Sequence, residues 1–226
     1  IRAYVDFEYR IVGSWEPAPA PDTVFTSGAC DQFISTQTPT FCWQGSSTVV
    51  PAETLAYYAK FDTAPWGDLG SFTCGYPLNP LSEGMHTLQV KTVDGCGHED
   101  PTPASCSFTV DLTPPTVAAG TGPWGYPICT DSTRICWAGS DNLTPIPSLK
   151  YQWRLDGGLW TTLSPLMCAD LGSLGLGTHV FEAKAVDAAG HESNPAQCRF
   201  ERLSAATFAD VPCDNMYWKY VEVMYK

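Results

Sequence analysis

The chain has 226 residues, room for one large domain or two of about 100 residues each. Charged residues are only 16%, Gly and Pro contribute 19 each, and 12 Lys+Arg against 24 Asp+Glu leave a net charge of −12. This excludes a basic surface able to neutralise phosphates, and hence nucleic acid as a partner; no apolar run is long enough to span a membrane.

The first twelve residues, IRAYVDFEYRIV, alternate in polarity, with Ile1, Ala3, Val5, Phe7, Tyr9 and Ile11 on one face. The alternation predicts a strand with one apolar side. A lone strand is unstable and must pair. Two partners are open: its own or a preceding domain, or a neighbouring subunit that accepts it by β-augmentation. The start at Ile1, without a signal-peptide pattern, reads as a processed or trimmed chain. A Pro-rich spacer follows, so residues 1–21 form a separate N-terminal segment.

From there the chain repeats itself. FCWQGSS (41–47) matches ICWAGSD (135–141), and YYAKFDTAPW (57–66) matches YQWRLDGGLW (151–160). LSEGMHTLQVKTVDGCGHED (81–100) matches LGLGTHVFEAKAVDAAGHES (174–193), and SCSFTVD (105–111) matches QCRFERL (197–203). Within each copy, short runs rich in aromatic and β-branched residues are separated by Gly, Pro, Asn and Asp. In HTLQVKTVDG, Leu88 and Val90 share one face and Gln89 and Lys91 the other. The pattern predicts an all-β protein: two tandem immunoglobulin-like β-sandwiches, at 22–113 and 114–204, joined by the Pro-Pro linker DLTPPTVAAGTGPWGYP. The linker predicts an extended tandem.

On these motifs both copies resemble the immunoglobulin-like or fibronectin type III-like modules of bacterial secreted and cell-surface proteins. The resemblance covers residues 22–203 and rests on a Trp on the second strand, the LDGG.W hairpin, the L..G.H segment running into VD..G, and the closing F.VD. It implies fold far more than function, because such modules serve as spacers, adhesins and enzyme accessories.

Ten cysteines without CxxC knuckles predict disulfides in an oxidising compartment, not a zinc site. With Trp43 facing the core, the neighbouring Cys42 points outward; Cys106 shares parity with Phe108 and Val110 and points inward. An immunoglobulin-type strand order then suggests the bonds Cys30–Cys42, Cys74–Cys106, Cys129–Cys136 and Cys168–Cys198, with exchange of the middle partners, such as Cys42–Cys106, as the rival. Cys96 and Cys213 have no counterparts in the repeat, since VDAAGHES makes the turn of VDGCGHED without a cysteine. They are left as a possible link between successive subunits.

The C-terminal segment, 205–226, contains FADVPCDNMYWKYVEVMYK. Asp214 or Asn215 offers a cap, and Tyr217, Tyr220, Val221 and Met224 fall on one helical face, predicting a short amphipathic helix. Through Phe208, Asp210, Val211, Pro212, Trp218, Val221 and Tyr225 the segment resembles the opening of an S-layer homology domain, which implies a bacterial cell-surface origin.

No catalytic motif is present, and neither a cofactor nor a metal is expected. The histidines repeat as His86 with His179 and His98 with His191, which points to a structural role; Asp94 and Asp187 are expected to fix their turns by Asx hydrogen bonds. Asp141 and Asn142 suggest Ca²⁺, but one short acidic cluster supplies too few oxygens. Asn142 also opens a glycosylation sequon, Asn142-Leu143-Thr144. Trp15, Trp124, Tyr126 and Trp218 lie outside the repeated core, where packing at junctions competes with sugar stacking.

The function expected is an extracellular, non-enzymatic structural protein, a homo-oligomer assembled head to tail through its terminal segments into a cell-surface filament or layer. The alternative is an adhesin or accessory module binding glycans or cell wall.

Overall fold

The computed structural model describes residues 19–48, 50–204 and 218–225. The expected N-terminal strand (Ile1–Ile11), Trp15, Cys213 and the proposed helix caps lie outside these residues.

The first copy contains β1 (Asp22–Ser27), β2 (Phe33–Ile34), β3 (Phe41–Ser46), β4 (Ala56–Phe61), β5 (Gly67–Gly70), β6 (Cys74–Gly75), β7 (Gly84–Val93) and β8 (Ala104–Val110). These form a three-stranded sheet, β1-β3-β6, and a five-stranded sheet, β2-β8-β7-β4-β5. The second copy contains β9 (Thr116–Ala119), β10 (Thr133–Ser140), β11 (Lys150–Leu155), β12 (Cys168–Leu171), β13 (Gly177–Val186) and β14 (Ala196–Arg202). Its sheets are β12-β10-β9 and β11-β13-β14. One further element, α1, spans Trp218–Tyr225. The fold is therefore all-β, with two tandem immunoglobulin-like sandwiches.

Alternation drives both cores. Along β3, Phe41, Trp43 and Gly45 are buried and the intervening residues are not; β10 repeats this with Ile135, Trp137 and Gly139. The core Trp meets a Tyr of the opposite sheet edge-on, at 6.3 Å for Trp43–Tyr57 and 6.2 Å for Trp137–Tyr151. Each such ring contributes about 1.5–3 kcal/mol through burial. Glycine at 45 and 139 is demanded by this packing: a Cβ at 139 would stand 2.7 Å from the Tyr151 ring, and one at 45 would stand 3.1 Å from Tyr57 and 2.5 Å from Thr92.

The described residues fall into two compact units, one of 19–28, 40–76 and 87–106, the other of 29–39, 77–86 and the residues from 107 onward. The second unit thus includes the end of β8 and the segment that follows it. Its core gathers Ile135, Trp137, Tyr151, Phe181, Cys198 and Phe200, with Trp124 and Ile128 packed against it.

The disulfides follow the sheets and correct the expected pairing. Cys42 bonds Cys74 and Cys136 bonds Cys168, each pair with α-carbons 4.0 Å apart. The outward direction of Cys42 holds, since Trp43 beside it is buried. Its partner differs because β3 has two neighbours: on β1 the residue opposite Cys42 is Ser27, whereas on β6 it is Cys74. Cys136 likewise faces Cys168 across β10 and β12. The bonds Cys30–Cys42, Cys74–Cys106, Cys129–Cys136 and Cys168–Cys198 are thereby ruled out; Cys30, Cys106 and Cys129 are disulfide-bonded to other partners. Cys198, expected in a bond, is a buried free thiol. Gly28 and Gly122 hold equivalent places, with φ of 139° and 131°, against Phe41 and Ile135. Two residues further on, the first copy has Cys30 and the second has Trp124.

Candidate functional site

The repeated motifs are first of all structural. His86 Nε2 bonds the Ser82 carbonyl at 2.9 Å, and His179 Nε2 bonds that of Gly175 at the same distance. Each imidazole lies against a Phe, Phe108 at 5.9 Å and Phe200 at 5.5 Å. Asp156, in the left-handed region at φ 51°, accepts from the Val180 amide at 2.8 Å and pairs with His179 Nδ1 at 2.8 Å.

The cationic side chains of each second sheet cover a tryptophan. Lys60 and Lys91 lie 4.9 and 5.0 Å from the Trp66 ring centre, and Arg154 and Lys184 lie 4.6 and 4.7 Å from that of Trp160. Glu182 and Glu192 hold Arg154 and Lys184 in place. Of the tryptophans outside the repeated motifs, Trp124 packs on the second core and donates its Nε1–H to the Thr121 carbonyl. Tyr126 lines a groove with Gly125 and with Tyr220, Val223 and Met224 of α1.

The two VD..GH turns share their hydrogen bonds. Asp94 accepts from the amides of Cys96 and His98, both at 2.9 Å, and from His98 Nδ1 at 2.9 Å. Asp187 accepts from the His191 amide at 2.8 Å and from His191 Nδ1 at 2.9 Å. Burial pushes the Asp94 carboxyl up, but the His98 and Cys96 donors outweigh it and hold the group below the usual carboxylate range. Cys96 adds no bond of its own side chain to this turn; it is exposed and free. Ala189 stands in its place in the second copy.

The second turn differs in what surrounds it. Asp111, directly after β8, is fully buried. One ligand atom each from Asp111, Asp187 and His191 lies within 4.8 Å of the other two. Asp111 is held by the Thr113 amide at 3.3 Å and the Thr144 hydroxyl at 3.5 Å, both long for hydrogen bonds to a carboxylate. Burial, and then the charges of Asp141 and Asp187, push the Asp111 carboxyl above the ordinary carboxylate range, against the pull of the Thr113 amide. Asp141 follows β10. Its Oδ2 accepts from the amides of Leu143 and Thr144, while its Oδ1 is buried without a hydrogen-bond partner. All four residues belong to the second unit.

Beside this cluster, the exposed Asn142 donates its Nδ2–H to Glu83 at 3.0 Å, and the Leu112 amide donates to the same oxygen at 3.2 Å. Hydrogen bonds from Asn142, Thr113 and Leu112 hold Glu83 below the usual carboxylate range. The sequon hydroxyl of Thr144 is buried and accepts from the Ala188 amide. The sequence singled out Asp141 and Asn142 but not Asp111; the signal available was the DLTPP segment ending β8, whose Asp faces the repeat that follows.

Among the described residues no helix is long and apolar enough to cross a membrane. No protein family model matches the chain. No curated protein matches it either. Solved structures similar to it include the fibronectin(III)-like modules of Clostridium thermocellum CbhA, at 15% identity over 80% of this chain and 93% of that one, with a TM-score of 0.48. Chicken CNTN1 domains FN1–FN3 are 11% identical over 81% of this chain and 65% of that one, with a TM-score of 0.44. Sidekick-1 immunoglobulin domains 1–4 are 13% identical over 83% and 51%, with a TM-score of 0.43.

Proposed function

We propose that the chain is an extracellular structural module, a subunit of a cell-surface filament or layer joined head to tail through its terminal segments, with sandwich domains at 22–113 and 114–204. The disulfides support an oxidising, extracellular setting. The observation that carries assembly is Cys96: an exposed free thiol in a turn that Ala189 completes equally well in the other copy. In an oxidising compartment such a thiol is suited to an intermolecular bond with another copy of the chain. The S-layer-like C-terminal segment fits the same surface origin.

An adhesin that stacks sugars needs open aromatic faces. Trp66 and Trp160, the repeated tryptophans of the second sheets, each carry two cations over the ring, which favours assembly over glycan binding. Light scattering of the chain with both ends intact, under non-reducing conditions, tests the proposal. Multimers growing with concentration are expected; a monodisperse monomer at micromolar concentration contradicts it.

A further inference from the structure

We propose that Asp111, Asp187 and His191 form a binding site for one divalent cation, with Asp141 as a neighbouring charge. The end of β8 and the turn between β13 and β14 supply its ligand atoms, and the loop after β10 comes alongside through Thr144, which donates its amide to Asp141 and its hydroxyl to Asp111. The fully buried Asp111 carboxylate has only two long hydrogen bonds, at 3.3 and 3.5 Å, and neither comes from a basic side chain. Independently, Asp141 Oδ1 is buried with no donor at all, and Asp141 is the strongest charge acting on Asp111. Buried carboxylates ordinarily find donors or a counter-charge. A cation bound by the under-bonded carboxylate of Asp111 and by Asp187 with its paired imidazole provides a counter-charge for Asp111 and for the neighbouring Asp141 at once. Carboxylate oxygens favour Ca²⁺ or Mn²⁺, and participation of the imidazole favours Mn²⁺ or Zn²⁺.

The first copy serves as an internal control. Its turn keeps Asp94 and His98, but Ser47 stands where the second copy has Asp141. The site is therefore single. It ties the segment after β8 to the second copy, so occupancy protects the 111–119 stretch.

The test uses the full chain, stripped with chelator and titrated calorimetrically with CaCl₂, MnCl₂ and ZnCl₂ in turn. Binding of one cation per chain is expected, with affinity falling at least tenfold in Asp141→Asn. The unfolding midpoint should rise by about 5 °C or more at a hundredfold excess over Kd, and proteolysis within 111–119 should slow. Asp111→Asn gives the sharpest sign. It should unfold at or above the wild-type temperature in chelator, where a repelling charge has been removed, and below it in saturating cation. No binding by any of the three ions at millimolar concentration overturns the site, as does a stoichiometry of two, binding unchanged in Asp141→Asn, or an Asp111→Asn variant that is stabilised equally with and without cation.

Discussion

Cys42 and Cys74 stand directly opposite each other on neighbouring antiparallel strands, β3 and β6, and are joined by a disulfide. The bond closes a loop between residues 32 apart in sequence, on the outer side of a sheet whose inner side carries Trp43. Cys136 and Cys168 repeat it with the same separation of 32. Peptide mapping without reduction should recover the pairs Cys42–Cys74 and Cys136–Cys168. Replacing both partners of one pair by Ser should cost about 2–4 kcal/mol in denaturant unfolding. Recovery of Cys30–Cys42 would contradict the sheet order.

The glycines facing the core tyrosines should not tolerate a methyl group. In Gly139→Ala the new carbon meets the Tyr151 ring and hydroxyl at 2.7 Å. The Tyr ring is packed on all sides, so we expect a loss of about 1–3 kcal/mol, read as a lower urea midpoint. Gly157→Ala has nothing within 4 Å, but φ at this glycine is +69°, so its smaller loss reports backbone strain alone. Equal midpoints for Gly139→Ala and wild type would contradict the packing.

Among the described residues, the two free thiols, Cys96 and Cys198, should separate by reactivity. Burial pushes the Cys198 thiol up to about 11, partly countered by the Gly125 backbone. It is also 1% exposed and bonded to the Pro123 carbonyl. Near pH 8, monomeric chain treated with a thiol reagent should label at Cys96 within minutes and at Cys198 only on unfolding. Rapid native labelling of Cys198 would show that the second core opens.

His179 links pH to stability. Burial lowers its pKa, but the Gly175 carbonyl and Asp156 outweigh it, and the net shift is upward from the ordinary value of 6.5. A raised folded-state pKa means that the protonated pair stabilises fully below the unfolded value and that this gain is lost as pH rises through the folded value. Asp156→Asn keeps the oxygen that binds Val180 and suits positive φ, but removes the charge. Its destabilisation should be larger at about pH 5.5 than at about pH 8.5 in urea unfolding; equal losses at both would remove His179 as the cause.

The alternation of β3, β7, β10 and β13 was legible because each of these strands has one face in a core and one outside. The outward direction of Cys42 and the inward direction of Cys106 followed from the same parity. Partners were not legible, because parity says which side of a sheet a cysteine occupies but not which flanking strand lies there; Ser27 and Cys74 are alternatives that only the sheet order separates. Cys198 illustrates a second limit. It retains the place of Cys106, yet the second copy has Trp124 at the position of Cys30, a change hidden in a stretch where the two copies have little sequence in common. The carboxylate cluster was half visible: Asp141 stood out in its loop, but Asp111 and Asp187, which come together with His191, lie 30 and 46 residues from it along the chain.

The central claim is head-to-tail assembly, and the most direct measurement is disulfide mapping by mass spectrometry on assembled material, with thiols blocked before digestion. Covalent multimers should yield a peptide joining Cys96 of one chain to another chain, absent from monomer and abolished together with the multimers in Cys96→Ser. A free Cys96 thiol in assembled material, or a Cys96 bond found inside a monomer, would contradict it.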